Sequence, residues 1–466
     1  MSLSFAETYD SVNRIGCPIH GFIRVTKRIE SRPNEKTEAD LIDTPWLQRL
    51  RRIHQLETAW WVFPSGEHTR LQHCFGAMHL GDVLAHHLYP SLKENLRAHP
   101  HREAIPSESL VVETMRLAGL LHDVGHGPFG HSFDKFYLES RGYTHERVSA
   151  QIIAGPLSRI ITSIGRSPDG PFRGNERVGP RHLAYLIDSG STGQGIPRWV
   201  QLLRPLFQGP FTCDNMDFVL RDAYMCGFAV PRADVQRIIA YSFFPRNADR
   251  LCLHLHGVSS LRSFLESRLE LFTGVYYHRT VRAMRLHLSD ILRATIDAIW
   301  PGLDPLCSPD TYLKVDEWTL ITNVQQWVAD RSARPYLVRG WKAIVNRNPE
   351  WKRVYEHVYP VEDPHTETAD VLCQRYQRAL RGQIRGCRVD VADADPLQRP
   401  ELISIYNPML DSVEEDARGR LGESLGHRLR LLRVFSKERS VTQQVHDVMR
   451  QIDQGTHTTG SIPTNL

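Results

Sequence analysis

Residues 121–131 read Leu-His-Asp-Val-Gly-His-Gly-Pro-Phe-Gly-His, three histidines and an aspartate punctuated by three glycines. An adjacent His122–Asp123 pair at a helix end can offer an imidazole and a carboxylate to one cation. The dipeptide alone carries little weight, because a second copy, His446–Asp447, sits in an unremarkable amphipathic stretch. What distinguishes the first copy is its company. Upstream, His68-Thr-Arg-Leu-Gln-His73 opens a predicted helix. Downstream, Cys213-Asp214-Asn215-Met216-Asp217-Phe218 opens another, and Phe218 and Asp222 follow Asp214 by one and two turns on the same face. His73, His122, Asp123 and Asp214 together make two imidazoles and two carboxylates. The aspartates offset the charge of a divalent ion, and mixed nitrogen and oxygen donors suit Mn, Fe, Co, Ni or Zn. Each residue also has an ordinary reading: a helix histidine satisfied by backbone or water, or a carboxylate capping a helix N-terminus.

These residues need elements to place them. PIHGFIRVT (18–26) reads as a turn and a strand. Thr44-Pro45 starts a helix running through Leu47, Leu50 and Ile53 at helical spacing. Trp60–Phe63 reads as a short strand, and helices are expected at about 72–89, 108–123 and 214–227. Residues 162–198 are loop-rich around HLAYLI. A strand is expected at 251–256, one long helix at 259–300, and further strands at 402–407 and 429–436.

Composition bounds the answer without deciding it. A chain of 466 residues, 41% hydrophobic and 24% charged, has ample material for a globular core. No apolar run approaches the roughly 18–20 residues of a membrane helix, so no membrane partner is expected. The N-terminus carries no secretory pattern, and the eight cysteines form no CxxC pair. A reducing, cytoplasmic setting follows as the expectation. The formal charge of +4 does not by itself advertise a nucleic-acid partner. Two arginine series, Arg375/378/381/385/388 on an expected helix face and Arg428/430/433 on an expected strand, read as solvated faces or as an anion, oligomer or nucleic-acid contact.

The order H…HD…D resembles the HD-domain phosphohydrolases, and among them the deoxynucleoside triphosphate triphosphohydrolases related to the sterile-alpha-motif HD enzyme. The resemblance is carried by PIHGFI (18–23), IDTPWLQRLRRIHQL (42–56), VFPSGEHTRLQHCFG (62–76), AGLLHDVGHGPFGHSFD (118–134), THE (144–146) and GPFTCDNMDFVLRD (209–222). It is weaker in YYHRTVRAMR (276–285) and loose beyond 300. It implies a mainly α fold with a helical HD core. The composition shifts after Trp300-Pro301-Gly302, so the expected organisation is an HD core with small β-hairpins over residues 1–300, a C-terminal α+β lobe at 301–454 and, from its own residues, a disordered tail at 455–466. The resemblance implies a divalent cofactor (Mn, Fe, Co, Ni, Zn or Mg) on His73, His122, Asp123 and Asp214. It implies a nucleotide substrate and a homo-oligomer, dimer or tetramer. Arg70 matches a phosphate-binding arginine. His126, His131 and His145 match histidines that line the phosphates or move the proton, with Glu146 placed to orient His145. Gln55, Leu56, Phe218 and Asp222 match sugar- and base-contacting positions.

The chain also departs from that pattern. Asn215 stands where close relatives have a phosphate-binding lysine, Phe218 where they have a tyrosine, Gly274 where they have an arginine and Arg282 where they have a sugar-stacking tyrosine. Arg279, Arg282 and Arg285 could restore charge from the same helix. Asp43, Gln48 and Arg51 match an activating-nucleotide site but read as helix-pinning residues. The expected activity is hydrolysis of deoxynucleoside triphosphates to deoxynucleoside and triphosphate. The alternatives are a phosphatase or phosphodiesterase acting on another nucleotide, and a non-catalytic nucleotide- or nucleic-acid-binding HD protein.

Overall fold

The computed structural model of the chain describes residues 10–30, 32–100, 103–229, 234–246, 248–361, 367–397, 403–414, 421 and 428–457. Strands β1 (Val12–Cys17) and β2 (Gly21–Thr26) form an antiparallel hairpin in register Val12↔Thr26. Helix α1 (Pro45–Arg49) starts on its proline and tightens into a 3₁₀ turn at Leu50–Arg52. Trp60 and Trp61 form no strand. They lie in a 3₁₀ turn, Ala59–Trp61, because their rings stack on each other and on His54 instead of alternating across a sheet.

Helix α2 (Arg70–Ala98) begins with a capping box of Thr69 and Gln72, which places His73 in its first turns. Helix α3 (Glu108–Leu121) is capped by Ser107 and is buried along nearly its whole length. It ends just before His122–Asp123, at the glycine-rich turn that no helix can continue through. Helix α4 (His145–Ala154) starts after Thr144, and helix α5 (Cys213–Cys226) after Thr212. Each chemistry-bearing segment therefore sits at a helix end, where side chains can converge without an intervening turn.

The single helix expected at 259–300 is two. Strand β3 (Leu251–His254) leads into α6 (Val258–Leu271), a π-helical turn at Phe272–Tyr276 follows, and α7 (Arg279–Ile299) then runs on. Beyond it lie α8 (Glu317–Asp330) and α9 (Pro335–Val345). Two strands unexpected from the sequence, β4 (Lys352–Val361) and β5 (Cys387–Ala394), flank β7 (Arg428–Ser436) in an antiparallel sheet, while β6 (Ile403–Asn407) pairs parallel to β3. Helix α10 (Ala369–Arg381) covers β5, and α11 (Thr442–His457) closes the chain.

The fold is mainly α with small sheets, as the resemblance implies. One apolar core runs from Ile23 through Leu117, Leu203 and Trp300 to Trp341, Ile403 and Ile405. Trp300 and Leu303, on either side of the boundary expected at 301, both belong to that core. A second cluster gathers Val354, Leu380, Val434 and Val445. Of the tail expected at 455–466, residues 455–457 end α11 and 458–466 lie outside the described residues. No helix among the described residues is long and apolar enough to cross a membrane, and the eight cysteines are unpaired.

The arginine series are resolved by their partners. Arg385 and Arg388 fall beyond the end of α10, so the five arginines do not share a helix face. Arg428 and Arg430 bind Asp393, Arg433 binds Glu356, Arg388 binds Asp290 and Arg375 binds Glu367. Most of this charge is used inside the fold.

Candidate functional site

The ends of α2, α3 and α5 meet. His73 Nε2 lies 3.1 Å from His122 Nε2, 3.1 Å from Asp214 Oδ1 and 3.9 Å from Asp123 Oδ2. His122 Nε2 lies 3.2 Å from Asp123 Oδ1 and 3.7 Å from Asp214 Oδ1. The outer nitrogens of both imidazoles are engaged: His73 Nδ1 with Asp217 Oδ2 at 2.8 Å, and His122 Nδ1 with the Gly119 carbonyl at 2.8 Å. That leaves both Nε2 atoms aimed at the carboxylates, the arrangement that outer hydrogen bonds impose on metal-binding histidines. Asp217 was not singled out from the sequence. It reaches His73 because Gly76 lacks a side chain; a Cβ there would fall 1.8 Å from Asp217 Oδ1. Arg221 and His20 hold the same carboxylate from the other side.

A second cluster adjoins the first. His126, His131 and His145 surround Asp134, whose Oδ2 lies 2.7 Å from His145 Nδ1, 3.2 Å from His131 Nδ1 and 3.4 Å from His126 Nδ1. Asp134 is a second residue that sequence reasoning passed over, although its place three residues after His131 was the available signal. It also changes two assignments. The carboxylate that orients His145 is Asp134, because Glu146 stands 3.6 Å from the same nitrogen. His126 is fully buried, stacks on His145 at 3.7 Å and does not line the cavity. Burial, with Arg70 and His145 nearby, holds His126 well below the usual histidine range, so it is neutral and supports its neighbour. Burial also works against charge on His145, but the attraction and hydrogen bond of Asp134 outweigh it and raise its pKa to about 9.

Both clusters border one cavity of about 960 Å³. Arg70 enters it and is held by Asp123 Oδ2 at 2.6 Å. Gln55 presents a buried Oε1 with no hydrogen-bond partner, and Leu56 packs with Ala223, Leu271 and Val275 in the adjoining apolar wall. Glu57, beside them, has φ +50°, a conformation that side chains resist, and accepts from Ser132 Oγ. Phe218 meets Phe272 and Tyr276 edge-on. Asp222 is held by His68 Nε2 at 2.7 Å and by the Tyr276 hydroxyl, neither of which the sequence reading used. Asn215 completes the capping box of α5: Thr212 N donates to its Oδ1, and its Nδ2 donates to the Pro210 carbonyl at 3.2 Å. Gln48 and Arg51 hydrogen-bond to each other away from this cavity.

The family model described as HD domain matches residues 70–163. An uncharacterised Bacillus subtilis (strain 168) protein, YwfO, is 26% identical over 330 residues, 68% of this chain and 66% of its own length, so the match spans just under two thirds of that relative. A Dictyostelium discoideum protein named as a deoxynucleoside triphosphate triphosphohydrolase SAMHD1 homolog is 24% identical over 456 residues, 93% of this chain and 79% of that one. The crystal structure of a hypothetical protein from Aquifex aeolicus has the same fold, with a TM-score of 0.67 at 22% identity over 94% of this chain and 100% of that one. The segment that carries Arg70, His73, His122, Asp123, His126, Asp134 and His145 is thus the part of the chain that matches the HD domain.

Proposed function

We propose that the chain is a metal-dependent nucleotide phosphohydrolase that cleaves deoxynucleoside triphosphates to deoxynucleoside and inorganic triphosphate. The observation that carries this reading is the convergence on one cavity of the His73–His122–Asp123–Asp214 cluster, the Asp134-held His145 and the arginines Arg70, Arg268 and Arg285. The name of the Dictyostelium relative supports the choice of substrate. The ligand set fits a divalent ion of the Mn, Fe, Co, Ni, Zn or Mg type, because two imidazole nitrogens already face two carboxylates with no thiolate among them. Such an ion supplies Lewis-acid chemistry at a phosphoryl oxygen.

The chain's own residues do the rest. Arg70 faces the charge that develops on the phosphoryl oxygens. His145, protonated at neutral pH, is placed to give its proton to the departing 5′ oxygen, and His126 and Asp134 hold its ring. Phe218 and Leu56 give the sugar and base apolar walls. Asp222 keeps lone pairs for a sugar hydroxyl, and Gln55 Oε1 offers the base an unsatisfied acceptor. His131, with its side chain 63% exposed, stands at the mouth. A cytoplasmic setting is supported by the unpaired cysteines, and a homo-oligomer by exposed apolar side chains such as Phe22.

Incubating the protein with Mn²⁺ and a panel of nucleotides, and identifying products by mass, tests this reading. Intact triphosphate is the expected product from a deoxynucleoside triphosphate; pyrophosphate or orthophosphate would refute the proposed scissile bond. Turnover confined to monophosphates or diesters would favour a phosphatase or phosphodiesterase. That second reading is motivated by Asn215, whose amide is spent on the helix cap.

Metal affinity is expected to depend on pH. Burial disfavours charge on His73, yet its bonds to Asp214 and Asp217 raise its pKa to about 10. Without a cation it is protonated at neutral pH, so an incoming ion must displace that proton. Mn²⁺ affinity, followed by calorimetry in buffers of different ionisation enthalpy, should rise with pH and release protons. A pH-independent affinity would remove His73 from the ligand set.

A further inference from the structure

The phosphates of a nucleotide need cations, and the cavity presents few. Among the described residues, its arginines and lysines are Arg70, Arg268 and Arg285. Arg70 is paired with Asp123 near the ligand cluster. The neighbouring positions that would add charge are otherwise used. Asn215 caps α5, and Gly274 lies beneath Phe228, where even a Cβ would fall 2.4 Å from the ring. Arg282, on α7, is clamped by Asp390, with Nε 2.9 Å from Oδ2. Arg279 is exposed and does not line the cavity.

Arg268 leans over the Phe272 ring at 5.6 Å, and Arg285 differs from the carboxylate-bound Arg70 and Arg282. It is half-buried on α7, its guanidinium lies 5.8 Å from the Phe136 ring, and it makes no hydrogen bond or ion pair with any described residue. Helix α7 packs on the His131–Phe133 turn, and with its guanidinium near Phe136 Arg285 stands on the His131 side of the cavity. Burial and the neighbouring Arg282 both disfavour its charge, while Glu57, already tied to Ser132, attracts it only through space. A half-buried guanidinium without a bound carboxylate gains more from an arriving phosphate than one already paired.

We propose that Arg285 binds the phosphates distal to the scissile bond, so that the phosphate chain runs from the ligand cluster past His131 to α7. The cavity is thereby matched to a polyphosphate chain instead of a single phosphate. This inference rests on the nucleotide reading above. Its test uses the full-length, Mn²⁺-loaded protein with sodium tripolyphosphate and orthophosphate as probes, alongside deoxynucleoside triphosphate kinetics. Arg285→Ala should weaken tripolyphosphate binding and raise KM by about tenfold to a hundredfold, the usual loss for a hydrogen bond to a charged group. It should leave kcat within a few-fold and orthophosphate binding unchanged, and Arg285→Lys should recover part of the loss. Thermal melting of both variants reports whether they fold; if Arg285→Ala does not, Arg285→Gln takes its place. Tripolyphosphate binding and KM within twofold of wild type in a folded variant would overturn the assignment. So would a fall in kcat at unchanged KM. A wild-type protein inert toward every nucleotide would overturn the function proposed above, whereas tripolyphosphate binding lost in Arg285→Ala would still uphold the role of Arg285.

Discussion

Asp123→Asn is expected to lose its bound divalent metal and, with it, more than about a hundredfold of activity, beyond the roughly 10–100-fold that loss of an outer hydrogen-bond partner costs. Asp123 faces His122 Nε2 at 3.2 Å and Arg70 at 2.6 Å, so one oxygen serves the ligand cluster and the other neutralises a buried guanidinium. The amide keeps the shape but not the charge. Leaving Arg70 with a neutral partner also costs stability, up to about 3–5 kcal/mol when a buried ion pair is broken. Elemental analysis together with far-ultraviolet circular dichroism separates these effects: metal should fall to background while helicity is retained. Asp447→Asn, in the other His-Asp pair, is the control and should alter neither. Full metal content with normal activity in Asp123→Asn would remove the residue from the cluster.

His145→Ala should lower kcat by about 10²–10⁴, the usual worth of a positioned general acid, with a much smaller change in KM. A substrate whose leaving group is already acidic, such as a p-nitrophenyl ester, should lose far less, because its departure needs no proton. The pH profile gives an independent reading. Asp134 raises the His145 pKa to about 9 against the effect of burial, so the charged form is present below that value and is lost as pH rises through it. Turnover should therefore fall on the alkaline side near pH 9. Asp134→Asn, which removes the attraction, should move that limb toward neutrality. An alkaline limb unmoved by Asp134→Asn would show that another group delivers the proton.

The convergence of His73, His122, Asp123 and Asp214 was legible in the sequence because these residues sit at helix ends that announce themselves: Ser107 and the glycines after Leu121 bracket α3, and Thr212 precedes α5. Its supports were less visible. Asp217 depends on the space at Gly76, and Asp134 on a turn that folds 131–134 back beneath His145; neither contact leaves a local periodicity. Tyr276 was hidden for a related reason. The pattern at 259–300 stays amphipathic across the π-helical turn, so apolar spacing alone reads one helix where there are two. The strands β4 and β5 were missed because their buried residues are interleaved with charged ones that find partners in β7 and α7. Asp390 and Asp393 look solvated in sequence, yet they pair with Arg282, Arg428 and Arg430.

The parallel pairing of β3 with β6 joins Leu251 to Ile403 across about 150 residues of chain. Leu251, Cys252 and Leu253 are fully buried, and β6 supplies one of the two edges that cover their backbone. A fragment ending before 403 would retain every residue named in the two histidine clusters but present that strand with an open, apolar edge, the kind of surface on which copies add to one another. Ending the chain between β3 and β6 is thus a route to aggregation, and a nascent chain carries the same exposed strand until β6 has been synthesised.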